Sequence, residues 1–203
     1  MYQVGSFSKR DGKGTMSESL RGQFLISGKR LRDPNFFKTV VLIVEHGSDG
    51  AMGLVVNRPS SVSVSHALSG HIDLPETEEL VYVGGPVQPA DLFILHNAED
   101  MNGDEAAVVP GLYVGTSAEI FETIVRSVVE ENHDLKFRIF SGCAGWGVDQ
   151  LEGEIGRGDW LLLPASSSSI FHDNPYQVWD EALRLFHDNN RFVPQPPASP
   201  EWN

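Results

Sequence analysis

Cys143 is the only cysteine in the chain, and it stands among three glycines in Phe140-Ser141-Gly142-Cys143-Ala144-Gly145-Trp146-Gly147. A thiolate is a nucleophile, and a glycine-rich backbone offers N–H groups free to face an oxyanion. Two histidines, His46 and His96, each close an apolar run, where a general base would be held in place. A thiol-dependent enzyme using Cys143 with one of these histidines is therefore one chemistry on offer. The competing reading makes Cys143 a small buried side chain filling a tight turn, since free cysteine is among the most buried residue types. The second is preferred, which makes the chain a binding protein rather than a catalyst.

The same glycines suit a bound carboxylate or phosphate. Leu135–Phe140 alternates as a strand and Val148–Ile155 reads as a short helix, so Cys143 is expected at a strand-to-helix turn with Gly142 and Gly145 at positive φ. Backbone N–H groups at the start of a helix favour an anion. The spacing is G-x-x-G-x-G rather than G-x-G-x-x-G, and no Gly-Lys-Ser/Thr ending follows here or after Gly47–Gly53, so both standard nucleotide loops are excluded. What remains is a non-standard ligand site of Gly142, Cys143, Gly145 and Trp146, with Asn57, Arg58, Gly84 and Gly85 as further candidates. Arg58 is the group that would anchor an acid. The seven histidines contain no H-E-x-x-H pair, and neither a metal site nor a cofactor is expected.

Composition narrows the partners. The 203 residues carry 15 basic and 28 acidic side chains, a formal net charge of -13, so the overall field repels nucleic acid and direct DNA binding is not expected. The densest basic stretch, Gly28-Lys29-Arg30-Leu31-Arg32, reads as a solvated loop. No apolar run reaches the ~20 residues that span a bilayer. The start of the chain lacks the apolar stretch of a signal peptide, and a lone cysteine agrees with a reducing compartment, so the expectation is a cytoplasmic protein without a membrane role.

These residues need elements to position them. Strands are expected at Gln23–Ser27, Thr39–Val44, Met52–Asn57, Leu80–Val83, Leu92–Leu95, Leu112–Val114, Leu135–Phe140 and Leu161–Leu163. Thr116 with Glu119 reads as a capping box before a helix bearing Ile120, Phe121, Ile124 and Val125. Asn174-Pro175 starts another, bearing Val178, Trp179, Ala182, Leu183 and Phe186. Asn57-Arg58-Pro59 and Gly84-Gly85-Pro86-Val87 read as turns. Strands outnumber helices without alternating with them, which points to a single mixed α+β domain. The expected organisation is a flexible leader over 1–19, a folded body over 20–190 and a proline-rich tail over 191–203.

Several ordered blocks carry a resemblance: Leu20-Arg21-Gly22-Gln23-Phe24-Leu25-Ile26, Asp33-Pro34-Asn35-Phe36, Glu45-His46, Gly50 to Pro59, Val83-Gly84-Gly85-Pro86-Val87, Leu95-His96, Ser141 to Trp146 with Gln150-Leu151-Glu152, and Asp159-Trp160. Over about Leu20 to Phe186 the chain resembles the AlgH/YqgE family of small bacterial proteins. It departs from the family's usual pattern after the first strand, where it has Ser27-Gly28-Lys29-Arg30. The resemblance implies a curved, partly barrel-like sheet flanked by helices, cytoplasmic location and a transcriptional-regulator label, and it brings no catalytic residues. The expected partner is a small anionic ligand or another protein, bound between the 141–147 turn, the 45–57 hairpin and Gly84-Gly85-Pro86.

Overall fold

Val40–Val44 is an unbroken apolar run and all five residues are buried. Such a run belongs to a strand covered on both faces. The computed structural model describes residues 19–70, 78–101, 106–129 and 135–190. In it this strand, β2 (Val40–Gly47), lies between β1 (Gln23–Ser27) and β3 (Gly50–Val55), antiparallel to both.

The period-2 alternation of a strand sorts the side chains into two cores. Phe24, Ile26, Val40, Leu42, Val44 and Leu54 face one, shared with Ile170, Val178 and Ala182. Leu25, Val41, Ile43 and Val55 face the other, shared with Trp146, Leu151 and Trp160. Burying each such aliphatic side chain contributes roughly 1.5–3 kcal/mol before the entropy of ordering it, so the register of β1 to β3 is strongly specified.

The remaining strands are β4 (Pro59–Ser63), β5 (Leu80–Val83), β6 (Val87–His96), β7 (Tyr113–Gly115), β8 (Phe137–Trp146) and β9 (Trp160–Pro164). They form one nine-stranded sheet in the order β4-β5-β8-β3-β2-β1-β9, with β6 on β8 and β7 on β6. All pairings are antiparallel except β5 with β8. The sheet stays open, because β4 and β9 end that run on different neighbours.

Five helices cover it among the described residues: α1 (Val64–Leu68), α2 (Ala118–Val129), α3 (Gln150–Gly156), α4 (Ser167–Ile170) and α5 (Val178–Asn189). A third core joins Val64, Leu68, Phe121, Ile124 and Val125 to Val81, Ile94 and Ile139 of the sheet. The architecture is thus a mixed α+β domain. The cap of α2 is Ser117 rather than Thr116: its hydroxyl accepts the Ile120 N–H at 3.2 Å. The cap at Asn174 is where the residue pattern put it, accepting the Tyr176 N–H ahead of a 3-10 turn, Pro175–Gln177, that leads into α5. Apart from Ser19, the expected leader and the expected tail lie outside the described residues.

Candidate functional site

The segment holding Cys143 is not a strand-to-helix turn. β8 continues through Ser141, Gly142, Cys143, Ala144, Gly145 and Trp146, and α3 begins only at Gln150. The run looked like a turn because it is glycine-rich. It stays a strand because it changes partners midway: Phe140 and Ser141 pair with β5, and Ala144 to Trp146 pair with β3. Gly142, at φ +71°, sits at the changeover, while Gly145 carries no positive φ.

The four candidate glycines pack differently. A methyl group on Gly142 would lie 2.7 Å from the Gly85 carbonyl oxygen and 2.9 Å from that of Val87. Methyls on Gly84 and Gly85 would overlap the backbone of Gly142 and Cys143. These three are contacts of backbone on backbone that pack the β5–β6 connection onto β8. Gly145 is open, its nearest neighbour being the Val87 side chain. Cys143 is 3% exposed within the first core, and burial pushes its thiol pKa up, helped by the charges of Asp91 and Glu45.

Neither histidine is placed to serve that thiol. His46 is level with Ala51 of β3, and Ala51 with Trp146 of β8. His46 is thus two strands across and three residues along from Cys143, roughly 14 Å between Cα atoms at ordinary strand spacings. His96 pairs with Phe137, six residues back along β8 from Cys143, about 20 Å away.

His46 is instead tied into the fold. Its Nδ1 accepts the Leu20 N–H at 3.2 Å, which leaves Nε2 to donate to Glu152 at 2.8 Å. A backbone hydrogen bond and the His46 ring together hold the Glu152 carboxyl below its ordinary pKa. His96 is fully buried beside the Tyr113 ring, and neither ring nitrogen makes a hydrogen bond of normal geometry. Burial drives its pKa down, and the nearby Ala98 backbone opposes this only in part.

An open cleft of about 390 Å³ lies beside the turn between β2 and β3. Arg21, Glu45, His46, Asp49, Met52 and Trp146 line it with the Gly47–Ala51 backbone. The Arg21 guanidinium donates to the carbonyls of Val44 and Ala106, and among the described residues no carboxylate lies within ion-pair distance of it. Trp146 is held by Glu154, one of whose carboxylate oxygens accepts both the Trp146 indole N–H at 2.9 Å and that of Trp160 at 2.8 Å. Burial alone would raise the Glu154 pKa, but the hydrogen bonds from Gln150, Trp160 and Trp146 outweigh it and lower it.

Asn57 and Arg58 lie elsewhere. Asn57 accepts the Val40 N–H and donates to the Lys38 carbonyl, and Arg58 donates to the carbonyls of Asn35 and Phe37. Both line a second cavity of about 240 Å³ with Phe37, Lys38, Tyr176, Trp179 and Asp180. The residues expected to form one site are therefore divided: Trp146 in the first cleft, Asn57 and Arg58 in the second, and Gly142, Cys143, Gly84 and Gly85 packed on one another. No group of three or more metal-ligating side chains occurs among the described residues.

The family model described as AlgH-like matches residues 24–190. The chain belongs to the AlgH-like family. A UPF0301 protein of Chlorobaculum tepidum is 33% identical over 182 residues, 90% of this chain and 95% of that protein. One from Methylococcus capsulatus is 37% identical over 166 residues, 80% of this chain and 89% of that one. The solution structure of the AlgH protein from Pseudomonas aeruginosa superposes with a TM-score of 0.65 at 32% identity, covering 86% of this chain and 93% of that one. A Corynebacterium diphtheriae crystal structure matches in fold, with a TM-score of 0.66 at 22% identity, covering 88% and 90%.

Residue patterns in this AlgH-like chain put the 45–57 hairpin at a cleft without naming Glu45, Asp49 or Met52 individually, and did not single out Arg21. Arg21 had one usable signal, an arginine beside Gly22 at the entry to a buried strand. Phe37, Lys38, Tyr176 and Trp179 had none, because they meet only through packing of α5 on β1 and β2.

Proposed function

We propose that this AlgH-like protein is a non-catalytic, cytoplasmic binding protein that takes a small ligand, a single carboxylate or phosphate on an apolar body, in the cleft beside the β2–β3 turn. The observation that carries this reading is Arg21. Arg21 lines the cleft, among the described residues no carboxylate lies within ion-pair distance of its guanidinium, and Trp146 and Met52 supply apolar wall beside it. Glu45 and Asp49 on the same cleft disfavour polyanions, which agrees with the net charge of -13 in arguing against direct DNA binding. A regulatory role would then run through a protein partner that responds to the ligand.

Titration of the labelled protein with phosphate, acetate, benzoate and indole-3-acetate, followed by amide shifts, tests this. The aromatic carboxylates are expected to move residues 45–52 and the Trp146 indole, with Arg21→Lys weakening them about tenfold, the equivalent of about 1.4 kcal/mol. No movement at 45–52 by any of these acids at millimolar concentration overturns the reading.

A further inference from the structure

The cavity around Asn57 and Arg58 differs from the cleft beside the β2–β3 turn in the sign of its charge. Glu45 and Asp49 outnumber Arg21 in that cleft, whereas here Lys38 and Arg58 outnumber Asp180. Among the described residues no carboxylate lies within ion-pair distance of Lys38 or Arg58. In a chain of net charge -13, two cations gathered on one cavity without such a partner suit an anion from outside.

Both cations are fixed in place. Arg58 donates to the carbonyls of Asn35 and Phe37, which occupies only part of its donor fork. Lys38 holds φ +51°, a left-handed conformation that strains a lysine and that recurs at ligand clamps. The buried Asn57 keeps it there, donating to the Lys38 carbonyl while accepting the Val40 N–H. The Lys38 ammonium lies 4.9 Å from the centre of the Trp179 ring.

The walls are aromatic. Phe37 and Tyr176 are 71% and 74% exposed, more than packing alone asks of such rings, and they line the cavity with the half-buried Trp179. Pockets that bury a drug-sized ligand run to about 300–1,000 Å³, so a cavity of about 240 Å³ takes one planar ring and leaves the rest of its ligand on the rim. The Asp180 carboxylate on the same lining only accepts hydrogen bonds, so it suits a ring that carries N–H donors.

We infer that this cavity is a mononucleotide site, in which a nucleobase stacks on the exposed rings with an N–H edge toward Asp180 and its phosphate is held by Lys38 and Arg58. Aromatic rings stack on any base, and two cations match the charge of a phosphomonoester. The site is separate from the β2–β3 cleft, whose acidic excess disfavours a dianion.

Titration of the full chain with GMP, guanosine, phenyl phosphate and inorganic phosphate, followed by amide and indole shifts, tests this. GMP is expected to move the Trp179 indole and the amides of Phe37, Lys38, Arg58 and Tyr176, and guanosine to bind about tenfold more weakly. Lys38→Asn, which keeps a residue that tolerates left-handed backbone, is expected to weaken GMP about tenfold and leave guanosine unchanged. Tyr176→Ala, at an exposed position, is expected to weaken both. Asp180→Ala is expected to weaken GMP and strengthen phenyl phosphate, which has the charge and a ring but no N–H donor. GMP shifts that are absent from these residues, or confined to 45–52, overturn the proposal. So do equal affinities for GMP and inorganic phosphate, which would leave only an anion site, and a 5′-phosphorylated single-stranded oligonucleotide that binds more tightly than GMP, which would assign the surface to nucleic acid.

Discussion

A methyl group on Gly142 would lie 2.7 Å from the carbonyl oxygen of Gly85, so β8 and the β5–β6 connection approach closer there than any side chain permits. Gly142 also holds φ +71°. Alanine at 142 therefore combines a steric clash with a left-handed backbone, at a cost of at least 2 kcal/mol on the order-of-magnitude scale of such strain. Gly145→Ala meets only the Val87 side chain and is expected to stay within about 0.5 kcal/mol. Urea unfolding of the two variants checks this, and equal losses would refute the assignment.

Cys143 should behave as a core residue. Burial raises its thiol pKa and keeps reagents out, so alkylation at neutral pH is expected only as fast as the protein opens. Cys143→Ala is expected to cost about 1 kcal/mol, the transfer and cavity terms for one sulfur. Rapid alkylation of the folded protein by iodoacetamide would show instead that the thiol is exposed and activated.

His96 sets a pH dependence whose sign is fixed by its burial. Its folded pKa lies below the ordinary 6.5, so the unfolded chain binds the proton more readily. Its share of stability is then complete above about pH 6.5 and falls as the pH drops below that value. His96→Phe removes the titration and two buried nitrogens without hydrogen-bond partners. Urea midpoints between pH 5 and pH 7.5 are expected to depend less on pH in the variant, and an unchanged slope would assign the effect to other groups.

The shared carboxylate of Glu154 is a further point of leverage. Glu154→Ala strands the indole N–H groups of Trp146 and Trp160, which lie beside each other with ring centres 6.0 Å apart. The expected loss is about 2–3 kcal/mol, with a change in tryptophan fluorescence. Glu154→Gln keeps one carbonyl oxygen as an acceptor and is expected to lose about half as much. Full stability in the alanine variant would show that water replaces the carboxylate.

What the chain's order of residues determined by itself was local. Short apolar runs placed β1 and β5 to the residue, since Phe24-Leu25-Ile26 and Leu80-Val81-Tyr82-Val83 lie between polar or glycine boundaries. The apolar faces of α2 and α5 were legible from their helical spacing. The acidic balance was readable without any structure. Tertiary structure decided which residues share a place. β4 was missed because Pro59–Ser63 has no apolar period, and it is a strand only through its pairing with β5. The 141–147 segment was misplaced because glycine marks turns and close strand contacts alike, and only the approach of Gly85 to Gly142 tells them apart. Arg21 and Trp146, 125 positions apart, meet in one cleft because β2, β3 and β8 are adjacent in the sheet, and strand order is set by long-range packing that no local pattern encodes.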